Sequence, residues 1–291
     1  MVNAIVSLAR LRGKTGYRSP HLFGGDDLSK VEWEYAQGAS FFDSLSGLVS
    51  RDLLDGKEVL DAGCGWGGKA VYYAEMSRMK TIHAFDLPGV YEPEASAAFA
   101  RRKGIGNCFF TTGLAEEMPY EGGRFDVVLM EDVFEHVSDP EKVVAECARM
   151  LRPGGILVAK FPSFRMMYAH HLDRALTLPG LHYLLPMKTW AAGLNHRLLD
   201  PRHGEVYEPF DEVVATKYHP EITRNLNGLH FAAFREIVAR SLFETLTLAL
   251  VPFSGKSGRR RRIRKRLYRL LFDMEAFREF LASFVLFVGR R

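Results

Sequence analysis

Four glycines, Gly63, Gly65, Gly67 and Gly68, follow Asp61 at the end of a short apolar run. Glycine lacks a Cβ atom, so it permits a sharp turn and a close approach between the backbone and a bound ligand. A helix that starts after such a turn presents backbone N–H groups to a negatively charged group. The spacing therefore predicts a ligand-binding turn between a strand and a helix.

The charge of that ligand is indicated by the residue before the glycines. Gly63, Gly65 and Gly68 satisfy the G-x-G-x-x-G spacing of dinucleotide-binding proteins, so the glycines alone do not identify the ligand. A carboxylate at Asp61, however, suits a ligand with an ammonium group better than it suits a pyrophosphate. The distal half of the chain also lacks a second nucleotide signature and a hydride-transfer signature. These observations favour a ligand with a cationic group over a dinucleotide.

Three segments, at 61–67, 125–137 and 151–158, resemble successive motifs of the class I S-adenosylmethionine (SAM)-dependent methyltransferases, in their type 11 branch. The resemblance covers roughly residues 56–161 and, more weakly, the chain from 231 onward. It implies an α/β fold: a Rossmann-like, seven-stranded, mostly parallel sheet with helices on both faces and an antiparallel last strand. It also implies methyl transfer with SAM as the cofactor.

The resemblance assigns a set of cofactor-binding residues: Asp61, Gly63, Gly65, Gly67, Asp86, Leu87, Leu114, Ala115 and Glu131. Asp86 ends the second predicted strand, where an acid accepts hydrogen bonds from ribose hydroxyls, although a helix-cap or turn aspartate is the alternative. Leu114 replaces an acid that the family often has, so we expect backbone groups of Leu114 and Ala115 to hold the adenine, with the Leu114 side chain on its face. We expect Glu131 to contact the methionine part through its backbone carbonyl.

His136 is the predicted catalytic residue. It follows the fourth predicted strand at the edge of the family's active site, where it could remove a proton from a hydroxyl acceptor. The alternative is a histidine at a helix start that bonds to the backbone. The other histidines after the fifth strand lack metal-ligand spacing, so we expect no metal site; they are His170, His171, His182, His196, His203, His219 and His230.

The elements that position these residues alternate between strands and helices. Apolar runs predict strands at 58–61, 81–85, 108–112, 125–130, 156–161, 244–251 and 280–288. Helical periodicity predicts helices at 29–54, 68–76, 92–103, 140–151 and 231–241, the first with Ser29 and Glu32 as a capping box. This alternation is typical of βαβ units around a parallel sheet.

The chain divides into four predicted regions. They are an N-terminal helical region (1–55), the SAM-binding core (56–161), an insertion that covers the acceptor as a lid (162–227) and C-terminal core strands (228–291) with a basic insertion at 255–272. The second insertion is predicted from charge: residues 256–269 contain nine Lys or Arg and no acid. This basic segment could form a solvated helix face, contact anionic lipid or, least favoured, bind nucleic acid.

Composition narrows the class of protein. The three cysteines, Cys64, Cys108 and Cys147, lie far apart and form no C-x-x-C pair, which argues against disulfides and zinc clusters and fits a reducing cytosol. No apolar run approaches the roughly 20 residues that span a bilayer. We therefore expect a cytoplasmic protein, with peripheral membrane contact as the alternative. No sequence feature indicates an oligomeric state.

We expect an enzyme that methylates a small molecule, most simply by O-methylation in specialised metabolism. Methylation of a lipid or quinone at a membrane surface is the first alternative. A SAM-binding protein without transferase activity is the second. After the fourth strand the chain reads Glu131-Asp132-Val133-Phe134 instead of the Asn/Asp-Pro-Pro-Tyr motif of nucleobase amino-methyltransferases. That difference argues against a nucleic-acid substrate.

Overall fold

The computed structural model describes residues 26–45, 47–88, 91–167, 169, 179–184, 226–252, 268 and 270–291. Within these residues the strands are β1 (Glu58–Ala62), β2 (Thr81–Asp86), β3 (Cys108–Thr112), β4 (Phe125–Glu131), β5 (Leu151–Phe161), β6 (Glu244–Pro252) and β7 (Ala282–Arg290). The helices include α1 (Asp27–Ala36), α2 (Ser40–Ser44), α3 (Gly68–Met76), α4 (Pro93–Arg102), α5 (Pro140–Met150), α6 (Leu181–Leu184), α7 (Phe231–Ala239) and α8 (Glu275–Leu281).

The seven strands form one sheet in the order β3-β2-β1-β4-β5-β7-β6. β1 to β5 pair in parallel, whereas β7 is antiparallel to both β5 and β6. The predicted Rossmann-like sheet with an antiparallel last strand is therefore confirmed. The direction of the strands matters for function, because the carboxyl ends of β1, β2 and β4 meet at one edge.

Side chains of β4 alternate between two apolar layers, which explains its uninterrupted apolar run. Val128 and Met130 pack in the layer that contains α5 and α7. Val127 and Leu129 pack on the opposite face, with α2 and α3. A strand covered on both faces needs apolar residues at every position, as parallel strands in α/β proteins do. β4 pairs with β1 as far as Leu129, which lies opposite Asp61. The end of β4 therefore lies beside the glycine turn.

The predicted single helix at 29–54 is wrong. The structure divides this stretch into α1, α2 and a 3₁₀ turn at Arg51–Leu54. Gly38 lies between α1 and α2 against the ring of Tyr72, where an added Cβ would be 2.1 Å from Cγ. The N-cap is Asp26, whose side chain accepts from Ser29 N–H, so the predicted capping box is also incorrect. The apolar residues of the stripe pack in two clusters: Val31 of α1 lies with Trp66, whereas Phe42 of α2 lies with residues of β1 and α3.

The predicted strand at 280–288 begins two residues too early. Phe280 belongs to α8, a helix that the sequence prediction missed, and β7 starts at Ala282. Phe277, Phe280 and Leu281 follow helical spacing, so the apolar run at 280–288 spans the end of a helix and a strand.

Two predicted segments fall largely outside the described residues. Most of the insertion at 162–227 and of the basic segment at 256–269 belongs to the parts of the chain that are not described. In the described residues, no helix has the length and apolar character needed to cross a membrane.

A substitution at Gly68 tests the contact between α1 and α3. An added Cβ would lie 2.1 Å from the Val31 carbonyl oxygen and 2.5 Å from the Tyr35 nitrogen. We expect Gly68→Ala to lower the free energy of unfolding by about 1–3 kcal/mol, since overpacking outweighs the helix propensity of alanine. Urea denaturation measures this change. Gly106→Ala is the control because no atom lies within 4 Å of its added Cβ; equal stabilities for both variants would contradict the close packing.

Candidate functional site

A cavity of about 320 Å³ lies at the carboxyl ends of β1, β2 and β4. The strand order reverses direction between β1 and β4, and open α/β sheets bind ligands at such a point. The glycine turn, the strand ends and the turn after β4 form three of its walls. The N-terminal helices add four further residues, which are Trp33, Glu34, Gln37 and Ser40.

The glycine turn owes its glycines partly to the protein's own side chains. Gly63, Gly65 and Gly67 all have positive φ angles of 82°, 64° and 73°, which favour glycine. An added Cβ on Gly63 would lie 2.3 Å from a methyl carbon of Val133, and one on Gly65 would lie 2.5 Å from Glu34 Oε1. The sequence predicted that a ligand requires these glycines. In the structure, the positive φ angles favour glycine at all three positions, and Val133 also leaves no room for a side chain at Gly63.

Glu34 bonds to the amide groups that the sequence assigned to a ligand. Its Oε2 atom accepts from Trp66 N–H at 2.8 Å and from Gly68 N–H at 3.3 Å. The residue is 8% exposed and lies on α1. Glu34 was not among the predicted site residues, because 32 and 34 positions separate it from its partners and no local pattern marks such a contact.

Asp86 connects β2 to the glycine turn. Its Oδ2 atom accepts from Gly65 N–H at 2.7 Å, and its Oδ1 atom accepts from Leu87 N–H at 2.7 Å. The carboxylate therefore fixes Gly65 of the turn, whereas Glu34 fixes Trp66 and Gly68. Because an ionised carboxylate offers about four acceptor sites, it can also bind hydroxyl groups of a ligand.

Asp61 is a buried carboxyl group with an unusual proton affinity. Burial raises its pKa to about 7; Lys69 opposes this shift, while Glu131 and Asp86 add to it. The raised pKa means that an ionised Asp61 is poorly solvated in the cavity. Such a group gains stability from a cation placed beside it.

Glu131 ends β4 between two lysines. Lys69 Nζ lies 2.7 Å from its Oε2 atom, and Lys160 Nζ lies 3.0 Å from its Oε1 atom. Burial raises the pKa of Glu131, but the two lysines outweigh burial and leave the pKa below its ordinary value. The sequence predicted only a backbone role for Glu131. The structure shows that its side chain also forms ion pairs with Lys69 and Lys160 beside the cavity.

The turn after β4 carries His136 and is held from the far end of the insertion. Asn227 Nδ2 donates to the carbonyl oxygens of Phe134 and Val137 at 2.7 and 2.8 Å, and Asn227 N–H donates to the Glu135 carbonyl at 3.1 Å. His136 Nε2 lies 3.7 Å from Oε1 of Glu135, whose side chain is buried. These contacts place the imidazole in the cavity wall, with a buried carboxylate beside it.

The ten predicted site residues do not all reach the cavity. Eight line it: Asp61, Gly63, Gly65, Asp86, Leu87, Ala115, Glu131 and His136. Gly67 instead faces Ser96, whose Oγ would be 2.7 Å from an added Cβ. Leu114 forms an isolated bridge with Glu117, and its side chain is 42% exposed. Leu114 thus lies outside the cavity wall, whereas its neighbour Ala115 lies in it.

The described residues contain no cluster of three or more His, Cys, Asp or Glu arranged to hold a metal ion. Among the predicted insertion histidines, His230 caps α7 by accepting from Ala233 N–H, and His182 packs on Phe164. The remaining five lie outside the described residues. The three cysteines are free thiols.

Comparisons with known proteins identify the family. A family model described as a methyltransferase domain matches residues 60–159. The ubiquinone biosynthesis O-methyltransferase of Escherichia coli O6:H1 is 35% identical over 179 residues, which cover 61% of this chain and 68% of that protein. The chain belongs to the class I SAM-dependent methyltransferases.

Other relatives of this methyltransferase differ in coverage and in named activity. A sarcosine/dimethylglycine N-methyltransferase of Halorhodospira halochloris is 35% identical over 115 residues, 39% of this chain and 40% of that protein. A SAM-dependent methyltransferase structure from Mesorhizobium loti has a TM-score of 0.51 at 18% identity, covering 88% of this chain and 99% of that chain. The second likeness shows that the fold is shared.

The cavity of the methyltransferase fits SAM in charge and in position. The cofactor carries a sulfonium and an ammonium group, and the cavity wall contains the carboxylates Asp61 and Asp86. The carboxylate of Glu34 already accepts from two N–H groups of the glycine turn. A cationic nucleoside therefore suits these residues better than a phosphate does.

The raised pKa of Asp61 predicts a dependence of stability on pH. In the folded protein its pKa is about 7 against an ordinary value of 3.8, so the folded state holds the proton more tightly. Its contribution to stability is complete below pH 4 and is lost as pH rises to about 7. We expect Asp61→Asn to raise the free energy of unfolding by about 2–4 kcal/mol at pH 8, and by much less at pH 4.

Urea denaturation without ligand at the two pH values measures this effect. Asp43→Asn is the matched control, because Asp43 is an exposed aspartate of α2. A variant of Asp61 that is no more stable than the parent at pH 8 would contradict the burial of an ionised carboxylate.

Proposed function

We propose that this methyltransferase transfers the methyl group of SAM to a hydroxyl oxygen of a small-molecule acceptor, in a reaction of specialised biosynthesis. The observation that carries the proposal is the position of His136 in the wall of the cavity, with buried Glu135 beside it. A hydroxyl acceptor must lose its proton as the new bond forms, so it requires a base at this place.

Residues at the strand ends would hold the cofactor. Asp86 would accept hydrogen bonds from the ribose hydroxyls, as the acid at the end of the second strand does in related folds. Asp61 would pair with the ammonium group, which relieves the unfavourable solvation of its carboxylate. Leu87 and Ala115 would lie against the adenine, and the backbone of Gly63 would contact the methionine part.

SAM supplies an electrophilic methyl group on a sulfonium ion. The protein's contribution is to orient the acceptor, since positioning supplies much of the rate of such a displacement. Val133 and Val137 give the cavity an apolar wall next to His136, which excludes water from the reacting atoms. Trp33 and Gln37 of the N-terminal helices supply an aromatic surface and hydrogen-bonding groups for the acceptor.

His136 would take the acceptor proton. Its imidazole lies in the cavity, and the carboxylate of Glu135 lies 3.7 Å from Nε2. A carboxylate beside an imidazole stabilises the imidazolium that forms when the proton arrives. Asn227 fixes the turn that carries both residues, so the base keeps its position relative to the strand ends.

The named activity of one relative supports oxygen as the accepting atom and suggests a second candidate acceptor. The Escherichia coli relative is a ubiquinone biosynthesis O-methyltransferase, and its alignment covers more than the motifs of the core. That name favours a quinone precursor or other lipid-like phenol as the alternative acceptor. The basic segment at 256–269 would then meet the anionic membrane that holds such an acceptor.

A substitution at Asp86 tests the cofactor site. We expect Asp86→Ala to weaken SAM affinity by about 1.5–3 kcal/mol, because hydrogen bonds to a charged group are lost. We also expect lower stability, because Gly65 N–H and Leu87 N–H lose their acceptor. Calorimetry measures the affinity. Asp55→Ala is the control, since Asp55 also accepts from a backbone N–H, that of Arg78, outside the cavity. Unchanged affinity would remove Asp86 from the site.

A substitution at His136 tests the reaction. We expect His136→Ala to lower turnover of a hydroxyl acceptor by about 10²–10⁴-fold with SAM affinity nearly unchanged, because the base is lost. The measurement is formation of S-adenosylhomocysteine with a panel of phenols, a quinol precursor and sarcosine. The loss should shrink for an acidic phenol that is already ionised at the assay pH.

Two results would overturn this proposal. Turnover of sarcosine with no turnover of any hydroxyl acceptor would assign the enzyme to N-methylation. A loss below about tenfold in His136→Ala, equal for acidic and ordinary phenols, would make His136 a structural residue.

A further inference from the structure

Glu34 presents a negative charge where the glycine turn would otherwise bind a ligand's anion. The first backbone N–H groups of a helix have no partner within the helix and lie at the positive end of its dipole, a combination that attracts phosphate in many nucleotide-binding folds. Here the carboxylate of Glu34 accepts from Trp66 N–H and Gly68 N–H. An anion of the protein itself thus occupies this place, and it also lines the cavity.

The position of Glu34 is fixed by the packing of α1 on α3 and α4. Val31 is fully buried in a cluster with Trp66, and the Val31 carbonyl approaches the Cα of Gly68. The ring of Tyr35 packs edge-on against Phe99, with centroids 5.2 Å apart. The ammonium group of Lys30 lies 4.1 Å from the centroid of the Trp66 ring. These contacts hold α1, and with it the Glu34 carboxylate, against the glycine turn.

The charge at this place has a consequence for ligand choice. A pyrophosphate would have to displace the Glu34 carboxylate or lie against it, and two buried anions repel each other strongly where water is excluded. A cationic nucleoside experiences the opposite effect. The glycine spacing is compatible with either ligand, so it does not by itself select between them.

We propose that Glu34 is a specificity-determining residue that makes the cofactor site select a cationic sulfonium nucleoside and reject nucleoside diphosphates. This role of Glu34 concerns only the part of the cavity that binds the cofactor. It does not depend on the acceptor or on His136, so its failure and the failure of O-methylation are distinguishable.

The test compares the affinities of SAM and ADP for the full chain and its variants by calorimetry. In Glu34→Gln the amide oxygen keeps one acceptor for the turn but the charge is lost. We expect SAM to bind about tenfold more weakly and ADP about tenfold more tightly than to the parent. The ratio of the two affinities would then change by about a hundredfold. Glu34→Ala should shift both affinities in the same directions and further.

Glu32→Gln is the matched control, because Glu32 lies one half-turn away on the same helix and pairs with Arg102 at the surface. We expect it to bind both ligands as the parent does. Thermal melting without ligand reports whether Glu34→Ala folds, and Glu34→Gln carries the test if it does not. Parent-like selectivity in folded Glu34→Gln would overturn the inference, and so would weaker SAM binding without a gain for ADP.

Discussion

The contact between Glu34 and the glycine turn is the interaction on which the arrangement of the site depends. It joins the N-terminal helix to the first βα turn through two backbone N–H groups, beside Gly65, whose positive φ favours glycine. Asp86 binds the same turn from β2. Two carboxylates from different elements thus hold one loop, and both line the cavity.

The lysines beside the cavity have carboxylate partners, whereas the buried carboxyl group of Asp61 favours a cation. Lys69 and Lys160 share the single carboxylate of Glu131, and Asp132 and Glu34 also attract Lys69. Asp61, by contrast, stays buried with a pKa near 7. A buried carboxyl group of this kind costs stability in the empty protein and recovers it when a cation binds, which is a common feature of functional sites. The methyltransferase cofactor is such a cation.

The sequence predicts the parts of this structure that depend on local pattern. Strands such as β4 are covered on both faces, so their apolar runs are unambiguous, and the glycine turn is recognisable because its backbone angles demand glycine. The break at Gly38 is set by the ring of Tyr72, which lies in another element and leaves no periodic signal. Glu34 was not predicted either, because its partners also lie in another element. Its role follows from helix packing in three dimensions, and one sequence without its fold does not contain that information.

The most direct test of the central claim is a crystal structure of the protein with S-adenosylhomocysteine bound. We predict that Glu34 Oε2 still accepts from Trp66 N–H and Gly68 N–H, while the ribose lies on Asp86 and the amino group lies on Asp61. If Glu34 has instead moved out of the turn, and the carboxylate of the ligand binds those two amide groups, the glycine turn is an ordinary anion site and the claim is wrong.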